Sequence, residues 1–169
     1  LKGAQYYFGV EPDMSTFGKG MANGFALAAL TGKREFMKMG SIDEPGTERT
    51  FLISTTHGAE MSALGAFMEA VNIYKENNVT QHFWEYGAKL KSGFEAIISK
   101  LELEKYFYID GNPISMNFLT KGNDGNVSLE FRTLFLQEMI NNGVLMPWVA
   151  VSLAHSEREL EITFAAIEK

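Results

Sequence analysis

The stretch TFGKGMANGF, residues 16–25, decides how this chain is read. Lys19 stands between Gly18 and Gly20, Asn23-Gly24 follows, and Phe17, Met21 and Phe25 give the loop apolar flanks. A solvated surface lysine needs no such clearance, and three chemistries do use a lysine among glycines. A phosphate-binding P-loop requires G-x-x-x-x-G-K-[S/T]. Here Asp13 occupies the first glycine's place, and Gly20 stands where a hydroxyl should hold magnesium. The dinucleotide fingerprint G-x-G-x-x-G also fails, because Asn23 falls in the last glycine's place and Gly24 comes one residue late. The third is a Schiff-base lysine, whose amine must be neutral to attack a carbonyl and so belongs in a desolvated pocket. Small neighbours let a flat ring approach the backbone. Spacing alone leaves this reading beside a plainer one, a turn with an exposed lysine.

The totals set the frame. With 169 residues, 46% of them hydrophobic and 21% charged, the chain can form one sizeable domain or a domain and a half around a real core. A net charge of −6 argues against nucleic acid as a partner, since phosphate backbones want a basic face. No apolar run approaches the ~18 residues of a membrane span, so no membrane role is expected. The absence of cysteine removes disulfides, thiolate nucleophiles and cysteine-ligated zinc together. No secretory leader pattern is seen, and the cytoplasm is the expected location. The chain opens on Leu1 and runs directly into GAQYYFGVEPD, which reads as the middle of a longer protein.

Outward from the lysine loop, residues 1–13 read as a helix end and a turn stopped by Pro12-Asp13. FALAALTG from Phe25 reads as a fully buried strand or a tight apolar turn, and residues 34–39 as one or two helical turns. Met61, Leu64, Phe67, Met68, Val71 and Tyr74 recur at helical spacing from Ala59 to about Lys75. Thr80 is the expected cap of a second helix, with Phe83, Gly87, Leu90, Phe94, Ile97 and Leu101 on one face. YFYID and ISMNFLT read as strands around a turn at Gly111-Asn112-Pro113. A helix over about 128–142 stops at Gly143, VLMPW reads as strand-like, and Ser156 with Glu159 forms a capping box opening the last helix. The order is that of an α/β or α+β chain with a boundary near residues 76–80.

A second candidate site lies in STTHGAE, residues 54–60, just before the strongest helix. A helix N-terminus offers unpaired N–H groups to a phosphate, and the hydroxyls of Thr55 and Thr56 could add donors. Serine and threonine in this place also serve simply as caps. His57, His82 and His155 show no metal-ligand spacing, so no metal is expected; His155 reads as structural, next to the last cap. Glu11, Asp13 and Asp43-Glu44 read as solvated loop residues, and Met21, Met61, Met68, Met116 and Met139 as core filler.

Taken together, GAQYYFGVEPDMSTFGKGMANGFALAALTGKREFM strongly resembles the segment around the cofactor lysine of class III pyridoxal-phosphate-dependent aminotransferases, closest to the branch with the glutamate-1-semialdehyde aminomutases. GAEMSALGAFMEAV is similar to the helix after the family's phosphate-binding threonine, and residues 131–169 to its small C-terminal domain. The resemblance covers essentially the whole chain.

It implies an α/β, fold-type-I transferase: residues 1–77 the C-terminal part of the large cofactor-binding domain, residues 78–169 the small α+β C-terminal domain. It implies that Lys19 holds pyridoxal 5'-phosphate as a Schiff base and shuttles a proton, and that Thr55, or Thr56 in its stead, donates to the phosphate of a neighbouring subunit. The implied assembly is a homodimer with shared active sites, acting on a small-molecule amino donor and a keto or aldehyde acceptor. The reaction implied is transamination, with intramolecular transfer by an aminomutase as the alternative. Outside that family, a non-catalytic domain binding a phosphorylated small molecule remains open. The sequence departs from the family pattern at Ser54, His57 and Ala59-Glu60, which bears on substrate identity. The family's aspartate for the pyridine nitrogen would precede Leu1, so the chain alone is expected to be inactive.

Overall fold

The structure, a computed structural model, describes residues 2–41, 43, 46, 56, 58 and 60–169. The chain divides into two compact units, Leu1–Asn77 and Asn78–Lys169.

In the first unit, α1 (Gly3–Phe8) ends at Gly9, which takes the left-handed conformation at φ 65° and lets its N–H and that of Val10 close on carbonyls of the helix. Strand β1 (Met14–Phe17) then pairs antiparallel with β2 (Ala29–Gly32), Met14 opposite Gly32 and Phe17 opposite Ala29. The residues between them form the lysine loop. FALAALTG is therefore not a buried strand; only its second half is extended, and every residue of β2 is at least partly exposed. A short helix α2 (Arg34–Met37) and one 3-10 turn follow. Helix α3 (Met61–Glu76) forms where the periodicity places it, yet Ala63 is its one buried residue. Met61 and Met68, read as core, are 81% and 68% exposed.

The second unit is built on α4 (Val79–Lys100). Asn78, at φ 49°, precedes it, and Thr80 lies inside the first turn instead of capping it. The buried stripe is Val79, Tyr86, Gly87, Leu90, Phe94 and Ile98. At its far end burial falls on Ile98 where Leu101 was expected, because α4 packs on both β3 and α6 and the stripe follows the four-residue rows that face them.

Strands β3 (Phe107–Asn112) and β4 (Ser115–Thr120) pair antiparallel through to Asn112 opposite Ser115. The connection is thus Pro113-Ile114 alone, two residues shorter on the strand side than the turn read from Gly111-Asn112-Pro113. Proline presets φ at such a position, and Gly111 accommodates φ 90° inside the strand. Ser128 caps α5 (Leu129–Asn141) by accepting from Phe131 N–H at 3.1 Å, and α6 (Glu157–Ile167) carries the complete capping box of Ser156 and Glu159.

VLMPW is not a strand. Leu145, Pro147 and Trp148 are exposed while Met146 and Val149 are buried, so burial does not follow the two-residue period of a strand, and the segment pairs with no strand among the described residues. The core closes around Phe107, whose ring lies 4.8 Å from Phe135, 5.7 Å from Phe118, 6.0 Å from Phe131 and 6.4 Å from Phe94. Arg132 stacks 4.1 Å over Phe118 and donates to the carbonyls of Phe118 and Pro147, tying the irregular segment to the sheet. Truncating a ring as buried as Phe94 costs about 3–5 kcal/mol.

Candidate active site

The lysine loop is held at its base by the hairpin. Lys33 N–H donates to the Asp13 carbonyl at 2.9 Å, and Lys33 Nζ meets Asp13 Oδ1 at 2.7 Å. That ion pair, more than proximity of Glu11, holds the Lys33 ammonium above its ordinary value. Asp13, read as a solvated loop acid, is thus one half of a clasp between the two strands. Sequence offered no signal for the pairing, because the partners lie twenty residues apart.

Within the loop, Gly18 is extended and its carbonyl accepts from Met21 N–H at 3.1 Å, closing one 3-10 turn over Lys19–Met21. Ala22 is buried, and its carbonyl accepts from Phe25 N–H at 3.3 Å. Lys19 itself has φ 52°, Asn23 φ 44° and Gly24 φ 111°. Positive φ is ordinary for Gly24 and tolerated by Asn23, but in lysine it is a strained conformation. The Asn23-Gly24 pair was the legible sign of this turn. That Lys19 shares the left-handed conformation was not legible.

The backbone around Lys19 faces open space, and among the described residues no desolvated pocket of the kind expected for a neutral amine encloses it. A side chain built on Gly20 or Gly24 would meet nothing within 4 Å. One on Gly18 would come no closer than 3.7 Å, to the Leu27 carbonyl oxygen. Lys19 is exposed, and among the described residues its amine has no hydrogen-bond or ion-pair partner. Phe17 and Phe25 remain exposed and Met21 half-buried, so the loop presents apolar surface beside an uncommitted amine.

Of the second candidate site, Thr56 is exposed in a turn, and no hydrogen bond among the described residues joins it to Lys19. Thr55 and His57 lie outside the described residues. His155 is half-buried with its ring against Tyr86. Among the described residues no three acidic or histidine side chains are grouped to hold a metal ion, and no helix is long and apolar enough to cross a membrane.

Comparison with known proteins adds to this geometry. A family model described as aminotransferase class-III matches residues 3–155. The 3-aminobutyryl-CoA aminotransferase of Cloacimonas acidaminovorans is 29% identical over 172 residues, covering 100% of this chain and 39% of the relative. The glutamate-1-semialdehyde 2,1-aminomutase of Fusobacterium nucleatum is 30% identical over 182 residues, covering 99% of this chain and 40% of the relative. This chain therefore spans about two fifths of the length of these relatives. Among solved structures, the FumI protein of Sphingopyxis sp. MTA144, in its PLP internal aldimine form, superposes with a TM-score of 0.79 at 22% identity. That match covers 98% of this chain and 37% of the other, and shows a shared fold.

Proposed function

The chain belongs to the class III aminotransferase family and carries part of its mixed α/β, fold-type-I architecture, and from that premise we propose that Lys19 is the cofactor lysine of a pyridoxal-phosphate-dependent amino-group transferase. One observation carries the reading. A lysine held at φ 52° between two glycines, with open space over the neighbouring backbone and no partner for its amine among the described residues, is costly as a surface turn and apt as a covalent anchor.

The residues present fit the group. An uncommitted primary amine matches an aldehyde, the bare backbone at Gly20 and Gly24 admits a flat ring, and the rings of Phe17 and Phe25 supply apolar contact. Lys19 Nζ would hold the cofactor covalently and, once released by an incoming amino group, would move a proton from the substrate's amino-bearing carbon to the cofactor's carbonyl carbon. Thr55, with Thr56 as its alternate, would donate to the phosphate of the cofactor held by the neighbouring subunit. When bound, the cofactor supplies an electron sink for the substrate's amino-bearing carbon.

In this proposal residues 1–77 form the C-terminal part of the cofactor-binding domain and residues 78–169 the small domain of a cytoplasmic homodimer with shared active sites. The substrates are a small-molecule amino donor and a keto or aldehyde acceptor. The two relatives named above are an aminotransferase and an aminomutase, and the Schiff-base chemistry proposed for Lys19 serves either reaction. A requirement for an added keto acid separates them.

The test is reductive trapping. The protein is mixed with pyridoxal phosphate, reduced with borohydride, digested and mapped by mass spectrometry. A pyridoxyl group concentrated on Lys19, and lost in Lys19→Ala, is the expected result. Label scattered over the surface lysines, with Lys19 no richer than the rest, would overturn the assignment.

A further inference from the structure

Two asparagines in this chain are followed by glycine, Asn23-Gly24 in the lysine loop and Asn142-Gly143 just past α5, and the fold treats them oppositely. Asn142 is half-buried and clamped at both ends of its amide. Its Nδ2 donates to the Glu138 carbonyl at 2.9 Å, and its Oδ1 accepts from Lys169 Nζ at 3.0 Å. The Gly143 N–H is committed as well, donating to the Ile140 carbonyl at 2.9 Å. Asn23 is exposed, and among the described residues neither its amide nor the Gly24 N–H has a hydrogen-bond partner. The 22–25 turn that holds the pair is closed by Phe25 N–H to the Ala22 carbonyl at 3.3 Å, longer than the usual range for such a bond.

We propose that Asn23 is a self-modification site: when the turn opens, the free Gly24 nitrogen attacks the unheld Asn23 amide and converts it to aspartate or isoaspartate without an enzyme. Gly24 N forms a bond to Asn23 Cγ, the Cγ–Nδ2 bond breaks, and Nδ2 leaves as ammonia with the proton that Gly24 N gives up. Water then opens the cyclic imide at one of its two carbonyls. One opening leaves an aspartate side chain; the other leaves an isoaspartyl link, in which the main chain runs through the side chain. No oxidant or reductant enters.

Glycine is the successor that permits the attack, having no Cβ to shield its nitrogen and a backbone that turns freely. A side chain built on Gly24 would meet nothing within 4 Å, so no neighbour fixes that side of the turn. Opening also relieves Asn23, whose φ of 44° lies in the left-handed region that few residues with a side chain occupy. The Asp-Gly pairs, which could form the same imide, are held. Gly111 N–H donates to Asp110 Oδ1 at 2.7 Å, and Asp124 accepts from Asn126 N–H at 3.0 Å and from Asn126 Nδ2 at 2.8 Å. Conversion adds a carboxylate, and in isoaspartate an extra main-chain carbon, four residues after Lys19. The site stands independently of the role proposed for that lysine.

Ageing the whole chain tests this. The protein is held in warm, mildly alkaline buffer made with heavy-oxygen water, digested in ordinary water and mapped by mass spectrometry; heavy oxygen marks the imides that opened before digestion. Asn23 is expected to convert more than about tenfold faster than Asn142, where two further hydrogen bonds stand against the attack and each slows it several-fold. In urea, where neither asparagine is held, the two rates are expected to draw together. Lys169→Met frees Asn142 Oδ1 and is expected to raise the Asn142 rate several-fold while leaving that of Asn23 unchanged. Equal rates at the two asparagines in the folded protein would overturn the assignment. So would an Asn23 that stays intact in the folded protein while its urea-unfolded form converts.

Discussion

Gly87 lies directly beneath the Pro113 carbonyl: a side chain on that glycine would place its first carbon 2.2 Å from Pro113 O. The helix and the β3–β4 connection therefore touch backbone to backbone, which only glycine allows. Alanine is the better helix former by about 1 kcal/mol. That gain is outweighed, because the obstruction is main chain and cannot swing aside. Gly87→Ala is expected to destabilise the protein by about 1–3 kcal/mol, read as a lower urea midpoint at unchanged slope. Gly65, in α3, meets nothing within 4 Å. Gly65→Ala is expected to stabilise by about 0.5–1 kcal/mol, and the opposite signs of the two variants check the close approach.

The capping box gives a pH dependence whose sign can be worked out. Hydrogen bonds from the Ser156 hydroxyl and from the Ser156 N–H hold the Glu159 carboxyl below its ordinary 4.5. A lowered folded value means that the contribution is complete above the unfolded value and disappears as pH falls through the folded one. The difference in unfolding free energy between the unaltered protein and Glu159→Gln is thus expected to be constant above the ordinary glutamate range and to shrink below it. Ser156→Ala, which removes the cap at any pH, is expected to cost about 1 kcal/mol. Chemical denaturation over an acid series measures both, and a Glu159→Gln difference that does not shrink would contradict the bonding.

That box is also the clearest case of structure legible in sequence, since both partners sit within one turn and their spacing is their geometry. The periodicities of α3 and α4 were legible for the same reason. What escaped depends on contacts between distant residues. The turn after β3 could not be trimmed to Pro113-Ile114 without the register that sets Asn112 opposite Ser115. Met61 and Met68 read as core because helical spacing reports a face and not what covers it. At the candidate site, the lysine and its glycines were legible as a pattern, whereas the Asp13–Lys33 clasp and the φ of Lys19 were not. The threonine half of the reading falls on Thr55, outside the described residues.

The conformation of Lys19 separates its structural cost from its chemistry. A residue with a side chain gives up roughly 1–2 kcal/mol in the left-handed region, and glycine avoids this. Glycine's greater freedom when unfolded returns part of the difference. Lys19→Gly is therefore expected to be more stable than Lys19→Ala by about 1 kcal/mol. Neither variant should retain borohydride-fixed pyridoxal phosphate. Equal stabilities would mean that the loop relaxes out of φ 52° when the lysine is removed.

The hairpin base offers a test of whether the loop's geometry, and not merely its amine, selects Lys19. A side chain on Gly32 would come within 2.8 Å of the Asp13 carbonyl oxygen and 3.0 Å of Met14 Cγ. Gly32→Ala must therefore push β1 away from β2, at a cost of about 1–3 kcal/mol. It strains the Lys33–Asp13 backbone bond that closes the loop, while leaving Lys19 and its glycine neighbours unchanged in sequence. Lys33→Met removes the exposed charge pair but keeps that backbone bond. If the loop pre-sets the amine, Gly32→Ala should lower the fraction of pyridoxyl-Lys19 recovered after reduction, and Lys33→Met should change it little. Amide exchange at residues 29–32 would report the loosened pairing independently. A loosened hairpin with an undiminished Lys19 yield would show that the glycines alone make the amine reactive, and that β1 and β2 merely carry the loop.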